Sequence, residues 1–209
     1  MVNQPAPPIA GEAEFWAGVA NAQRFFMGSA EVQYALQKLT AVLDAAGIPY
    51  AIAGAMALNH YGYRRVTVDV DVLLTRDGLD RLKRDVVGRG YVEKFPGSKG
   101  LRDTEHNVSI DVLLAGDYPG DGKPKPVRFP DPASLAVRGE HGAFLPLETL
   151  IELKLASGLS APHRLKDLAD VLELLRAAGL PATLADRLDP SVRAKYTELW
   201  TAAQTRDDE

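Results

Sequence analysis

The chain has 209 residues, 46% apolar and 25% charged, enough for a domain with a substantial core and unlike the composition of a disordered chain. It contains no cysteine, which excludes disulfides, thiolate metal sites and cysteine nucleophiles, so any metal must be held by oxygen or imidazole. The formal net charge of −4 speaks against a general nucleic-acid coat, although a local basic patch can still grip a phosphate-rich partner.

Residues 1 to about 10 form a proline-rich lead-in without a basic leader, and no later run approaches the roughly 20 apolar residues that cross a bilayer. The expectation is a cytoplasmic protein with no membrane partner. Residues 11–27 have helical character, with Phe15, Trp16, Val19, Phe25 and Phe26 as bulky contacts. Ser29 is positioned to cap a helix with Val32, Leu36, Leu39, Val42 and Leu43 on one face, closed by Gly47 and Pro49. A buried strand over 48–53 then runs into Gly54, where a short helix over 55–61 begins.

Val66 to Leu74 alternates. Val66, Val68, Val70, Val72 and Leu74 share one face, while Thr67, Asp69 and Asp71 share the other, which predicts a half-buried strand. Carboxylates at i and i+2 on one strand face stand roughly 7 Å apart at their roots. Unpaired they repel, so a divalent ion is a natural neutraliser, although a solvated face with lysine partners is the simpler reading of that spacing. Asp77 is read as the cap of a helix carrying Leu79, Leu82 and Val86 up to Gly88 and Gly90, and a strand is expected over 91–94.

Val108 to Leu114 repeats the alternation and brings a third carboxylate, Asp111, onto a second strand. The proline- and glycine-rich stretch that follows predicts an irregular loop bearing Lys123, Lys125 and Arg128, with a short strand at 127–129. Pro146 opens a helix through Ser157. A second helix over 163–178 turns Leu165, Leu168, Val171, Leu172 and Leu175 inward, and Gly179 and Pro181 close it. A last helix from Asp189 and Pro190 presents Tyr196, Leu199 and Trp200 before a charged end. The histidines at 60, 106, 141 and 163 show no metal-ligand spacing.

The segment GAMALNHYGYRRVTVDVDVLL followed by VSIDVLL resembles the core of the DNA polymerase beta superfamily of nucleotidyltransferases. In that family a strand and helix joined by a glycine turn cradle a nucleoside triphosphate, and an Asp-x-Asp pair with a third carboxylate on a neighbouring strand holds magnesium. Gly54 matches the first turn position, with Ala55 where the family has glycine or serine. Asp69, Asp71 and Asp111 match the acidic triad, and Arg65 and Thr67 complete an R-x-T-x-D-x-D run. The later stretch LPLETLIELKLASGLSAPHRLKDLADVLELL is similar to the AbiEii-like, toxin-type branch. Lys154 matches its helical lysine, and Arg164, Lys166, Asp167 and Asp170 its R-x-K-D-x-x-D segment. A core lysine whose stem lies along apolar surface, and a surface salt-bridge network, are the plainer readings of these residues.

The resemblance implies an α/β nucleotidyltransferase fold: a mixed, twisted sheet flanked by helices, with a helical C-terminal part closing the cleft. The division expected is 1–28 as a helical lead-in, 29–145 as the core and 146–209 as the helical part. It implies Mg2+ or Mn2+ held by Asp69, Asp71 and Asp111, an NTP co-substrate gripped near Gly54, Ala55, Arg65, Thr67 and Asp167, and Lys154 on the triphosphate. The acceptor hydroxyl it suggests first belongs to RNA, such as the end of a tRNA, in a toxin with an antitoxin partner. A small-molecule (antibiotic) nucleotidyltransferase and a catalytically silent nucleotide-binding module are the alternatives.

Overall fold

The computed structural model describes residues 30–205. The lead-in segment 1–28 with its expected helix, the Ser29 cap and the charged end at 206–209 lie outside the described residues.

Helix α1 (30–45) buries Val32, Leu36, Leu39 and Leu43, the stripe that its helical spacing predicts. Strand β1 (Tyr50–Ile52) follows, then α2 (Gly54–His60), β2 (Asp69–Leu74), α3 (Arg76–Val86), β3 (Tyr91–Glu93), β4 (Leu101–Asp103) and β5 (Ser109–Leu114). A loop and the one-turn helix α4 (Pro132–Leu135) lead to the hairpin β6 (Val137–Gly139) and β7 (Gly142–Phe144). Helices α5 (Leu147–Ser160), α6 (Leu165–Ala178) and α7 (Pro190–Gln204) complete the chain.

All seven strands form one sheet in the order β3-β4-β5-β2-β1-β7-β6. It is mixed: β2 runs parallel to β5 and β1 parallel to β7, while the remaining pairs are antiparallel. Val70, Val72 and Leu74 of β2 join Ile110, Val112 and Leu114 of β5 in a single core with the apolar stripes of α1 and α3. Each fully buried leucine or valine there contributes about 1.5–3 kcal/mol. Leu150, Ile151 and Leu155 of α5, Val171 and Leu174 of α6 and Val192 and Tyr196 of α7 extend that core into the C-terminal helices.

The close seat of α6 on α5 is set at Gly158, where an added Cβ would stand 2.5 Å from Leu168 Cδ2. The polar ends of the aromatic stripe on α7 are satisfied by the chain just before it: Tyr196 Oη donates to the Pro181 carbonyl at 2.9 Å and Trp200 Nε1 to that of Leu180 at 2.9 Å. No helix among the described residues is long and apolar enough to cross a membrane.

Four local expectations are corrected. The acidic strand begins at Asp69 rather than Val66, because its partners run out: β1 ends at Ile52 opposite Val72, and β5 starts at Ser109 opposite Asp69. Val66 and Val68 are therefore 39% and 56% exposed instead of buried. The cap of α3 is Thr75, whose hydroxyl accepts from Gly78 N at 3.0 Å; Asp77 sits in the first turn, where its charge suits the helix dipole. Residues 127–129 form no strand, since Pro126 and Pro130 supply no donors and only Phe129 exchanges bonds, with Gly116 and Asp117. Leu165 is 65% exposed at the first turn of α6, and Leu174 fills the inward place instead.

Candidate active site

Three aspartates are brought to one face of the sheet by strand register. In the parallel pairing of β2 with β5, Asp71 stands directly beside Asp111 and Asp69 beside Ser109, and side chains of registered partners point the same way. Asp71 lies deepest. Gly54 opens α2 against it with φ of +56°, and a Cβ there would collide with the Asp71 carboxylate, its Cγ only 2.6 Å away. Glycine is demanded twice, by the backbone conformation and by the space. The Ala53 amide also donates to the Asp71 carbonyl at 2.9 Å, tying the turn to the acidic strand.

Burial pushes the Asp71 carboxyl up to about 6, and the like charges of Asp69 and Asp111 add to the rise against the weaker pull of Lys154 and Arg65. This is a carboxylate short of positive charge. Asp69 accepts from Thr67 Oγ1 at 2.5 Å, and Asp111 is paired with Lys94 Nζ at 2.5 Å. No three histidine or acidic side chains among the described residues stand as a ready-made ion site. The donor set itself, three carboxylates around an underneutralised centre with room cleared by Gly54, suits a hard divalent cation.

Opposite the acidic face stands a basic wall from α5 and α6. Lys154, 8% exposed, reaches Asp170 at 2.7 Å and Asp167 at 3.2 Å. Asp170 also holds Arg65, and Asp167 takes Arg164 at 3.1 Å and the Ser157 hydroxyl at 2.6 Å. Burial raises the Asp167 carboxyl, but Lys154, the Ser157 hydroxyl and Arg164 more than offset it and hold it below the usual carboxylate range. Arg65 is set in place by Asn59, whose side-chain amide bonds both its N–H and its carbonyl at 2.7 Å.

Apart from Asp111 and the buried Asp170, the candidate site residues line one cleft of about 380 Å³: Gly54, Ala55, Arg65, Thr67, Asp69, Asp71, Lys154, Arg164, Lys166 and Asp167. Asp111 adjoins it, as the registered neighbour of Asp71. Val66 and Val68, freed from the sheet, form part of the cleft wall, as do Pro119, Gly120 and Phe129 of the long loop. Within that loop Lys125 is bound to Asp121 and to the Pro119 carbonyl, both at 2.6 Å, and so braces the loop. His60 stacks on Phe144 with ring centroids 4.0 Å apart.

Asn59, Lys94 and Ser157 escape sequence reasoning. Asn59 acts on Arg65 across a turn, and Lys94 reaches Asp111 only because β4 lies between β3 and β5. The one available signal is for Ser157, which stands three residues after Lys154 on the same helix face.

A scan against protein-family models finds no match, and neither does a search of curated protein sequences. Among solved structures the chain is similar to the crystal structure of the aminoglycoside nucleotidyltransferase ANT(2″)-Ia in complex with adenylyl-2″-tobramycin. The TM-score is 0.52 and the identity 14%, over 81% of this chain and 97% of that one. At that identity the likeness is one of architecture: the open, mixed seven-stranded sheet flanked by helices is a nucleotidyltransferase fold.

Proposed function

We propose that the protein transfers a nucleoside monophosphate from an NTP to an acceptor hydroxyl. The observation that carries this reading is the register of β2 on β5, which aligns Asp71 with Asp111 beside the clearing at Gly54. Nucleotidyl transfer asks a protein for positioning and charge neutralisation more than for covalent work. Mg2+ or Mn2+, held by Asp69, Asp71 and Asp111, would neutralise phosphate charge and orient the reacting groups.

The residues of the chain then divide the work. Gly54 and Ala55 line the cleft on the nucleotide side, next to Asp71. Lys154 stands toward the triphosphate as a compact cation, steadied by Asp167 and Asp170, and Thr67 orients Asp69. Asp111, whose side chain is 44% exposed, accepts the proton of the acceptor hydroxyl. The acceptor oxygen bonds to the α-phosphorus, the α–β anhydride bond breaks, and pyrophosphate leaves.

For the acceptor, the likeness of Lys154 and the Arg164–Asp170 segment to the toxin-type branch favours RNA, in a toxin with an antitoxin partner. A small hydroxylated molecule such as an aminoglycoside is the second reading, favoured by the architecture shared with ANT(2″)-Ia. The test is incubation with each labelled NTP, Mg2+ and either total RNA or an aminoglycoside panel, beside Asp71→Ala. Labelled RNA that is lost in Asp71→Ala supports the first reading, and a labelled small molecule the second. Nucleotide binding without transfer to any acceptor overturns both and leaves a silent nucleotide-binding module.

A further inference from the structure

Lys94 stands just after β3, at the start of the turn that joins it to β4, with its amide bonded to the Gly100 carbonyl at 3.2 Å. Its side chain runs back across Gly100 to reach Asp111 on β5. A Cβ on Gly100 would stand 3.1 Å from Lys94 Cδ, 3.2 Å from Cε and 3.2 Å from the Ile110 carbonyl oxygen. Gly100 is not among the positive-φ glycines, and a Cβ there would press on the lysine stem closely enough that the stem must give by a few tenths of an ångström.

The lysine has nearer acids in sequence and does not use them. Glu93 is taken by Lys83 at 2.6 Å and by the Gly97 amide at 2.8 Å, and the neighbouring Lys99 lies 3.7 Å from Asp117. Among the described residues only Lys94 is ion-paired with Asp111. It thus sets a single positive charge on Asp111, the only triad carboxylate that is ion-paired among the described residues.

We propose that Lys94 is a displaceable counter-ion of Asp111, which a divalent ion must dislodge, so that it weakens metal binding at this face until nucleotide adds its own phosphate ligands. The proposal rests on the reading of Asp69, Asp71 and Asp111 as the metal-holding face. Asp111 serves one cation at a time. Lys94 keeps the open carboxylate neutralised between turnovers, and metal and NTP bind the site together more tightly than either binds alone.

The experiment is Mn2+ titration of the full chain without nucleotide, following free Mn2+ by electron paramagnetic resonance, with folding checked by circular dichroism. Removing the competing charge in Lys94→Met is expected to tighten Mn2+ about fivefold, the size of a good part-exposed ion pair. Lys94→Arg stays within about twofold of the parent, and Lys94→Met has no effect once Asp111→Asn is present. If Lys94→Met does not fold, Gly100→Ala carries the test: it crowds the lysine stem but keeps the charge, and tightens Mn2+ about twofold. Unchanged or weaker Mn2+ binding in the folded variant overturns the proposal while leaving the metal-holding face intact. A parent chain and a folded Lys94→Met variant that both take up no Mn2+ overturn both.

Discussion

Two aspartates withdrawn from water meet opposite fates in this molecule. Asp103, fully buried at the end of β4, accepts from Lys38 Nζ at 2.6 Å and from the amides of Glu105 and His106. Burial raises its carboxyl, yet these partners hold it below the ordinary range. Asp71, on the same sheet, is driven up to about 6 by burial, and its neighbours Asp69 and Asp111 add to the rise rather than offset it. One site is electrostatically complete and serves stability. The other is left incomplete, which costs stability in the free protein and, on the proposed function, is the charge deficit that a divalent cation would fill.

Four substitutions or conditions break or sharpen this contrast. The largest effect is expected from Asp71→Asn, which should lower nucleotidyl transfer by on the order of a thousandfold. It should also raise metal-free stability at pH 7.5 by about 2 kcal/mol, because a charge the fold disfavours is gone. Urea unfolding with and without Mn2+ checks both signs: the parent gains stability from the metal and the variant does not. Lys38→Met should do the reverse at Asp103, costing about 3 kcal/mol by leaving a buried carboxylate unpaired. Adding Asp103→Leu to it should recover most of that loss.

The third test is pH. A carboxyl whose folded pKa is raised takes up protons in the folded state first, so its burden lifts as pH falls. Metal-free stability should therefore rise by about 1–2 kcal/mol between pH 7.5 and 4.5, through the window set by Asp71. Glu152, raised chiefly by burial, adds the same sign. Below the ordinary carboxylate range the slope reverses as Asp103 and Asp167, both held low, lose their ionised partnerships. Asp71→Asn should flatten the rise and leave the acid fall. The smallest effect is expected from Lys125→Met, where a surface pair with Asp121 is lost at about 0.5 kcal/mol, measured by the shift in Tm.

The sheet's two acidic strands and the amphipathic helices were legible because burial writes a period into the sequence: every second residue from Val70 to Leu74, and the stripe from Val32 to Leu43. The turn at Gly54 was legible for the same reason, as a glycine between an apolar run and a helix. Strands β4, β6 and β7 were not, since three residues carry no measurable alternation and their pairing is decided by neighbours far along the chain. The early end of β2 was hidden too, for Val66 and Val68 continue the alternating pattern after the partner strands have stopped. At the site, helical spacing places Asp167 and Asp170 on one face of α6, whereas Lys154 against them, Arg65 on Asp170 and Lys94 on Asp111 are contacts across elements with no local trace.

The parallel pairing of β2 and β5 carries a kinetic consequence. Its strands cannot meet through a tight turn: the chain between them must first form α3 and the β3–β4 hairpin, and the closure of that excursion precedes any reward from pairing. Asp69 and Asp71 are neighbours from the start, whereas Asp111 joins them only when β5 pairs with β2. A chain in which β5 has not yet paired with β2 lacks the third carboxylate of the proposed site.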